Sequence, residues 1–347
     1  MAIHREASIC SLLLAVLLVC CIAGVSIGST TLQWTTTMQV IAGKLLPFWF
    51  PLQSTAPADQ VIVWLIRVPR VIVAAFVGAG LAVAGVVMQG LFRNPLAEPN
   101  VIGVGSGAVL GAVIVFTTGL AVQFAVALPI AAFCGALLSL LVVYIVATRG
   151  GATPVAALLL SGIALAALLS ALSSLLISLS VVNWQVAQEI VFWMMGGLDA
   201  RSWTHVWLSA PFIVVGIVIS LVYARDLDLL VQGEEAAAAL GVDVEASKRI
   251  LIVVAALLTG SCVAVAGVIG FVGLIVPHVI RLIIGPLHRR LVLTSALAGA
   301  SFLILCDLLA RTVHPPTEVR LGIITAACGA PFFLLLLVRK YREVSQL

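Results

Sequence analysis

The chain has 347 residues, of which 63% are hydrophobic and only 9% charged, and its formal net charge is +4. Soluble domains carry roughly 25% charged residues, so this composition, with a mean hydropathy of +1.25, excludes an ordinary soluble protein. Many apolar runs exceed the ~18 residues that mark a membrane-spanning helix. They do not show the alternating ~10-residue segments of a membrane β-barrel. We therefore predict an all-α integral membrane protein.

The first half of the chain predicts five spanning helices and one long connection. Helix 1 covers about residues 9–27, and its apolar run is longer than that of a typical secretory signal and lacks a clear cleavage site. We therefore keep it as a spanning helix with the N-terminus in the cytoplasm. A long connection over about residues 29–61 follows on the other side. Helices 2 to 5 are predicted at about residues 67–90, 100–116, 122–148 and 154–181.

The second half predicts five more helices, which puts both termini on one side of the membrane. A short helix at the outer surface is expected within residues 183–203. Helices 6 to 10 are predicted at about residues 205–223, 250–269, 271–284, 291–310 and 321–338. With the N-terminus inside, 12 of the 18 Lys and Arg residues fall at inner helix ends and six at outer ends. This bias agrees with the positive-inside rule.

Residues 225–249 stand out because nine charged residues fall in one short stretch between apolar runs. So polar a segment does not lie in hydrocarbon, and the positive-inside count places it in the cytoplasm. Its centre favours a short helix with acidic residues at the start, an alanine run and a glycine stop. The simpler interpretation of this segment is a solvated loop between membrane helices. The more specific interpretation is a docking element for a cytoplasmic partner. The candidate docking residues are Gly233, Glu234, Glu235, Ala236, Ala237, Ala238, Ala239, Leu240 and Gly241.

An internal repeat supports this organisation. The segment Ala82-Val83-Ala84-Gly85-Val86 recurs at residues 264–268, five predicted helices later, so that the two copies run in opposite directions. We predict an inverted repeat of helices 2–5 and 7–10, which is typical of transporters. Five identical small residues can also recur by chance in so biased a composition.

Other motifs favour structural roles. The glycine series at residues 103–107 lies in a predicted membrane helix with no strand before it, so close helix packing is favoured over nucleotide binding. The sequence contains no P-loop motif, and His278 has no ligand partner at helical spacing. Asp307 and Arg311 are four residues apart, which predicts an ion pair on one helix face that leaves Arg311 free to point outward. We predict no metal, cofactor or nucleic acid for this chain.

Five motifs together carry a resemblance to a known family. They are RVPR at 67–70, QGLFRNPLAEP at 89–99, GVGSG at 103–107, GVIGFVGLIVPH at 267–278 and GAPFF at 329–333. In this combination the chain resembles the FecCD family, the permease subunits of ABC importers for ferric siderophores, haem and vitamin B12. The resemblance covers about residues 67–339.

The resemblance implies a multi-pass permease of the bacterial inner membrane that performs no covalent chemistry itself. Residues 1–347 would form a single transmembrane domain that pairs with a second copy around a central pathway. Two copies of a separate ATPase would carry ATP and Mg²⁺ at the inner face, and a periplasmic binding protein would deliver the substrate. The family's coupling helices fall at residues 225–249. Its outward arginines, which meet acidic residues of the binding protein, match Arg67, Arg70 and Arg311.

One departure from the family pattern bears on the substrate. The family usually has Glu-Leu-Pro at the start of helix 10, whereas this chain has Glu318-Val319-Arg320. Together with Arg201, Arg320 is a candidate for the substrate pathway, because paired guanidiniums suit an anion with two carboxylates. This argument favours haem, with its two propionates. The alternatives are a ferric siderophore and vitamin B12. Vitamin B12 lacks such a carboxylate pair.

Two other classes of function fit the sequence less well. An ion-coupled secondary transporter would need ionisable residues at mid-membrane, whereas the charges here cluster at predicted helix ends. A membrane-embedded enzyme would need a nucleophile with its base or a metal site, and no such set is visible in the sequence.

Overall fold

The computed structural model describes residues 2–28, 32–49, 55–180, 184–315 and 317–344. This part of the chain is helical, as predicted, and its β-type pairing is limited to one isolated bridge between Arg149 and Ala152. We label the main helices in chain order. They are α1 Ala2–Ser26, α2 Trp34–Leu45, α3 Pro57–Leu91, α4 Val104–Thr117, α5 Ala127–Ala147, α6 Val155–Ser180, α7 Trp184–Met194, α8 Trp203–Val222, α9 Ala224–Gln232, α10 Glu234–Ala239, α11 Val244–Ala266, α12 Val272–Ile284, α13 His288–Thr312 and α14 Leu321–Val344.

The ten predicted spanning helices correspond, in order, to α1, α3, α4, α5, α6, α8, α11, α12, α13 and α14. In the described ranges, seven helices are long and apolar enough to cross a membrane. The apolar stretches of α4, α12 and α14 are shorter. The 13 residues of α12 span roughly 20 Å, less than the ~30 Å hydrocarbon core.

The connection predicted over residues 29–61 is more ordered than expected, because it contains α2 and the start of α3. Helix α3 begins at Pro57, a residue that suits the first helical turn, and passes through a π-helical stretch over Ile62–Arg67. The expected surface helix within residues 183–203 is α7. Helix α11 also begins earlier than predicted, since the Asp243 side chain accepts a hydrogen bond from the Ala246 amide and caps it.

Helix α3 forms the centre of the subunit and is buried along most of its length from Pro69 to Leu91. It packs against α8, α11, α12 and α13. Its glycines bring backbones together, since a Cβ added at Gly78 would collide with the carbonyl of Gly299, and one at Gly85 with that of Gly273. Small residues at such crossings are what membrane helices use to approach closely.

The helix pairings follow the predicted inverted repeat. In the first pair of equivalent contacts, α3 packs on α13 and α11 packs on α5. In the second, α4 packs on α5 and α6, and its counterpart α12 packs on α13 and α14. Gly78 and Gly260 each lie four residues before the repeated five-residue segment. Gly78 lies against α13, and a Cβ at Gly260 would lie 3.1 Å from the Cβ of Ala136 on α5. Equivalent positions therefore contact equivalent helices.

The crossing at Gly85 predicts a specific sensitivity. Replacing Gly85 by Ala should destabilise the detergent-solubilised protein by about 1–3 kcal/mol, because the added methyl group collides with backbone that cannot move aside. Thermal unfolding of the purified protein measures this. The matched control is Gly270→Ala, whose new Cβ would meet nothing nearer than a Glu98 carboxylate oxygen at 3.8 Å. Equal melting temperatures for the two variants would contradict the packing argument.

Candidate functional site

One end of the molecule holds a group of charged residues that we call the arginine cluster: Arg70, Asp199, Asp307, Arg311, Glu318 and Arg320. Arg70 is at its centre. Its Nη2 lies 2.8 Å from Asp307 Oδ1 and 2.8 Å from Glu318 Oε2, and its Nη1 lies 3.0 Å from Glu318 Oε1. These charge-assisted bonds join α3 to α13 and to the loop before α14.

Arg67 and Arg311 fasten the end of α1 to the rest of the subunit. Arg67 Nη1 donates to the carbonyl oxygens of Val25 and Ser26 at 3.1 and 2.8 Å. Arg311 donates to the carbonyls of Gly24 and Ile27 at 3.1 and 3.2 Å. The last carbonyls of a helix have no partner within it, so these guanidiniums satisfy groups that would otherwise be left unpaired.

These arginines point into the protein rather than outward. Arg67, Arg70 and Arg311 are 4%, 8% and 4% exposed, so the expectation that Arg311 is free to point outward is wrong. The predicted ion pair between Arg311 and Asp307 is confirmed, at 3.1 Å. Contact between the three arginines and a binding protein stays a prediction. In the structure, each of the three arginines makes hydrogen bonds within its own subunit.

The two arginines predicted to line the substrate pathway are also engaged. Arg320 forms an ion pair with Asp199, and its guanidinium lies 4.3 Å from the centre of the Phe192 ring. Arg201 Nη1 lies 3.3 Å from His205 Nε2. Burial lowers the pKa of Arg201 to about 10, which leaves it charged at neutral pH. In this structure Arg320 is therefore not an unpaired cation that is available to a carboxylate of the substrate.

Asp199 is the residue that sequence reasoning missed. Its Oδ1 lies 3.7 Å from Arg70 Nη2, so it connects Arg70 with Arg320. Burial raises the pKa of Asp199, and neighbouring Glu318 raises it further. Burial alone would raise the pKa of Glu318 too, but the hydrogen bonds to Arg70 and Asp199 and the positive charges of Arg70 and Arg311 together outweigh it, and the pKa falls. A lone Asp after Gly196-Gly197-Leu198 carries no sequence signal for such a role.

The opposite end of α3 lies next to residues 225–249, which we call the coupling segment. Gly233, at φ 140°, separates α9 from α10, and Gly241, at φ 86°, follows α10 as the predicted glycine stop. Ala237 is fully buried, so the predicted flat row of alanines is not all surface. The exposed face consists of Glu235, Ala236, Ala238, Ala239 and Leu240, of which Leu240 is 63% exposed.

The coupling segment is held to the membrane helices by polar contacts. The backbone N–H of His288, at the start of α13, donates to Asp228 Oδ1 at 2.9 Å, and its Nδ1 lies 2.7 Å from the same oxygen. Burial alone would raise the pKa of Asp228, but these contacts outweigh it and the pKa falls. Helix α9 is thereby attached to α13.

A third feature lies where the two short helices begin. Glu98, in the irregular stretch before α4, accepts a hydrogen bond from the Phe271 amide just before α12, at 2.9 Å. Gly103 and Phe271 have left-handed backbones at φ 79° and 68°, and each starts one of the two helices. Short, interrupted helices at equivalent positions of two repeats mark the region where transporters handle substrate.

Neither His278 nor another described residue belongs to a cluster of three or more His, Cys, Asp or Glu that could hold a metal ion. The His278 ring packs edge-on against Phe332, with 6.2 Å between ring centroids. This contact joins α12 to α14.

Comparison with known proteins settles the family. The model of the FecCD transport family matches residues 16–339. The chain belongs to this family. It is 45% identical over 330 residues to the cobalamin import permease BtuC of Halobacterium salinarum, which covers 93% of this chain and 87% of the relative. It is 42% identical to the hemin transport permease HmuU of Yersinia pestis, over 82% and 85% of the two chains.

A solved structure agrees with the fold. A metal-chelate-type ABC transporter in an inward-facing conformation superposes with a TM-score of 0.83 at 31% identity, over 96% of this chain and 99% of that one. The protein is therefore a multi-pass permease subunit of an ABC importer for vitamin B12, haem or iron chelates. It is not itself an enzyme, and ATP hydrolysis belongs to a separate subunit.

The arginine cluster predicts a large effect from one carboxylate. Asp307 is 1% exposed and lies between Arg70 and Arg311. The variant Asp307→Asn should destabilise the protein by about 3–5 kcal/mol, because buried Arg311 loses its carboxylate partner and buried Arg70 loses one of its carboxylates. Thermal unfolding in detergent measures this loss. Glu235→Gln, a change of one exposed carboxylate at the other end of the subunit, serves as the control. A melting temperature within a degree or two of wild type for Asp307→Asn would refute the pairing.

Proposed function

We propose that two identical copies of this chain form the pathway of an ATP-driven importer in the bacterial cytoplasmic membrane, with both termini in the cytoplasm. The coupling segment would receive two ATPase subunits, and the end with the arginine cluster would face a periplasmic binding protein. The observation that carries this proposal is the exposed face of α10. It places a small, partly apolar surface outside the membrane on a segment tied to the spanning helices.

The burial of the spanning helices supports a pair of subunits. The most apolar part of α6 is only 11% buried within the subunit, against 83% for α3. Helix α6 also has small residues along its length, among them Ala164, Ala167 and Ala171. Small residues let helices of two subunits approach closely in a membrane. A second copy packed there would place the pathway between the two α6 helices.

The transport mechanism follows from this arrangement. Two ATPase subunits that close on ATP and Mg²⁺ would pull the two coupling segments toward each other. The segments are joined to α11 and α13, so the pull would alter the tilt of spanning helices and open the pathway to one side at a time. In such a scheme the permease binds its substrate weakly, because affinity is supplied by the separate binding protein.

For the cargo we propose cobalamin first and haem second. The two arginines favoured haem, but Arg320 is paired with Asp199, so a propionate would first have to displace that carboxylate. Cobalamin has no such carboxylate pair and leaves the ion pair intact. The similarity to the cobalamin permease of Halobacterium salinarum supports this order, and the similarity to the hemin permease of Yersinia pestis keeps haem as the second candidate.

The docking of the ATPase can be tested on the exposed face of α10. Ala238→Arg should reduce co-purification of the ATPase at least tenfold without unfolding the permease, because a long cation replaces a methyl group at the centre of the contact. The buried Ala237 is unsuitable, since Ala237→Arg would disturb the permease itself. Ala200→Arg, at the arginine end, is the control. Full recovery of an active ATPase with Ala238→Arg would rule out this surface.

The cargo can be tested by direct uptake. Proteoliposomes that contain the permease, its ATPase and its loaded binding protein should accumulate cyanocobalamin when ATP is present inside. Parallel assays use hemin and ferric citrate. We expect Arg320→Ala to leave cobalamin uptake within about twofold of wild type and to reduce hemin uptake if hemin is carried. Uptake of hemin alone would reverse our order, and ATP-independent uptake would remove the importer proposal.

A further inference from the structure

A buried lysine connects the coupling segment with two spanning helices. Lys248, in the first turns of α11, is 4% exposed. Its Nζ lies 2.6 Å from Glu245 Oε1, 3.1 Å from Glu234 Oε2 and 3.1 Å from the carbonyl oxygen of Thr153. Glu234 is the first residue of α10, and Thr153 lies in the loop between α5 and α6. Three separate elements therefore meet at one ammonium group.

The same site holds the loop at a second point. The Thr153 amide donates to Glu245 Oε2 at 3.1 Å, so that both backbone polar groups of this buried residue are held by side chains of α11. Helix α6 begins two residues later, at Val155. Ser247 Oγ also donates to Asp226 Oδ2 at 2.7 Å, which ties α11 to α9. The start of α6 is thus fixed to α11 through Lys248 and Glu245.

The physical chemistry of the site makes it a stiff connection. An ammonium group that is buried without partners is strongly disfavoured, and removal of one partner of a buried pair is costly. Breaking the contacts at Lys248 is therefore more costly than disturbing the apolar packing around them. An open surface pocket of about 520 Å³ borders Glu234, Lys248 and Thr153.

Helix α6 is the element able to respond. Its most apolar part is only 11% buried within the subunit, against 83% for α3, so its own subunit holds α6 less tightly than it holds α3. Its N-terminal end, by contrast, is anchored through Thr153. A helix held firmly at one end and loosely along its length will follow the movement of that end.

We propose that Lys248 is the positioning residue that transmits displacement of α10 to α6, and so converts closure of the ATPase into movement of the pathway. The inference rests on the proposed function and adds the route by which the force travels. Lys248 is buried, so it transmits without contacting the ATPase. Loss of its contacts should leave ATPase docking intact and separate ATP hydrolysis from transport.

The test measures cargo uptake per ATP hydrolysed in proteoliposomes that hold the complete complex with its loaded binding protein. The probes are cyanocobalamin and hemin, and the variants are Lys248→Met and Glu245→Gln. We expect both to retain the ATPase and its hydrolysis, and to lower uptake per ATP about tenfold, within the usual range of coupling between sites. The matched control is Arg249→Gln. It removes one positive charge from the next residue, which is exposed and donates a hydrogen bond to the Tyr144 hydroxyl at 2.9 Å.

Each outcome decides the inference. Wild-type uptake per ATP in both variants overturns it, as does loss of the ATPase from both, which would make the site a docking element. If Lys248→Met does not reach the membrane, Glu245→Gln decides alone, because Glu245 is partly exposed and the glutamine side chain has nearly the same shape. Absence of ATP-driven uptake in the wild type, for both probes, would instead remove the proposed function on which the inference rests.

Discussion

The fold depends on how closely helix backbones approach one another around α3. In a membrane, apolar side chains gain little by leaving lipid for protein, so helix association relies on close packing and polar contacts. Gly78 lies against Gly299, and Gly85 against Gly273, with no space for even one methyl group. A helix packed in this way against α12 and α13 cannot shift relative to either. Helix α3 is therefore the fixed frame of the subunit, and movement is left to helices that pack less, α6 above all.

The two central repeat helices, α3 and α11, share one feature, a buried cation with carboxylate partners. Arg70, in the first half of α3, and Lys248, in the first turns of α11, are both buried, and each contacts two carboxylates with an oxygen within about 3 Å of its charge. Because α3 and α11 run in opposite directions, these two sites lie at opposite ends of the subunit. Each ties segments outside the spanning helices to the fixed centre. The inverted repeat thus places one such charged connection at each end of the subunit.

The sequence predicted those features of the structure that depend on a local property of the chain. The lengths and polarity of the apolar runs predicted the spanning helices, and the repeated AVAGV segment predicted the helix pairing, because both are local. The burial of Arg70 was not predictable in this way, since its partner Asp307 is 237 residues distant. A run of four alanines has no polar face, so nothing in the sequence indicated that Ala237 alone points inward. The glycine stop at Gly241 was predicted because its backbone requirement is local.

The cargo is the property that family membership leaves open, and the arginine cluster explains why. Permeases named for cobalamin and for hemin share nearly equal identity with this chain, so a common fold serves both. Selectivity for the cargo must then depend on few side chains. The charge that a cargo meets at such a side chain depends on whether the side chain is already in an ion pair, as well as on its residue type. Arg320 is an extra cation in the sequence, yet its ion pair with Asp199 neutralises it in the structure. A carboxylate cargo has to compete with Asp199 for this guanidinium. An uncharged, amide-rich cargo does not, so the strength of one ion pair separates the two classes.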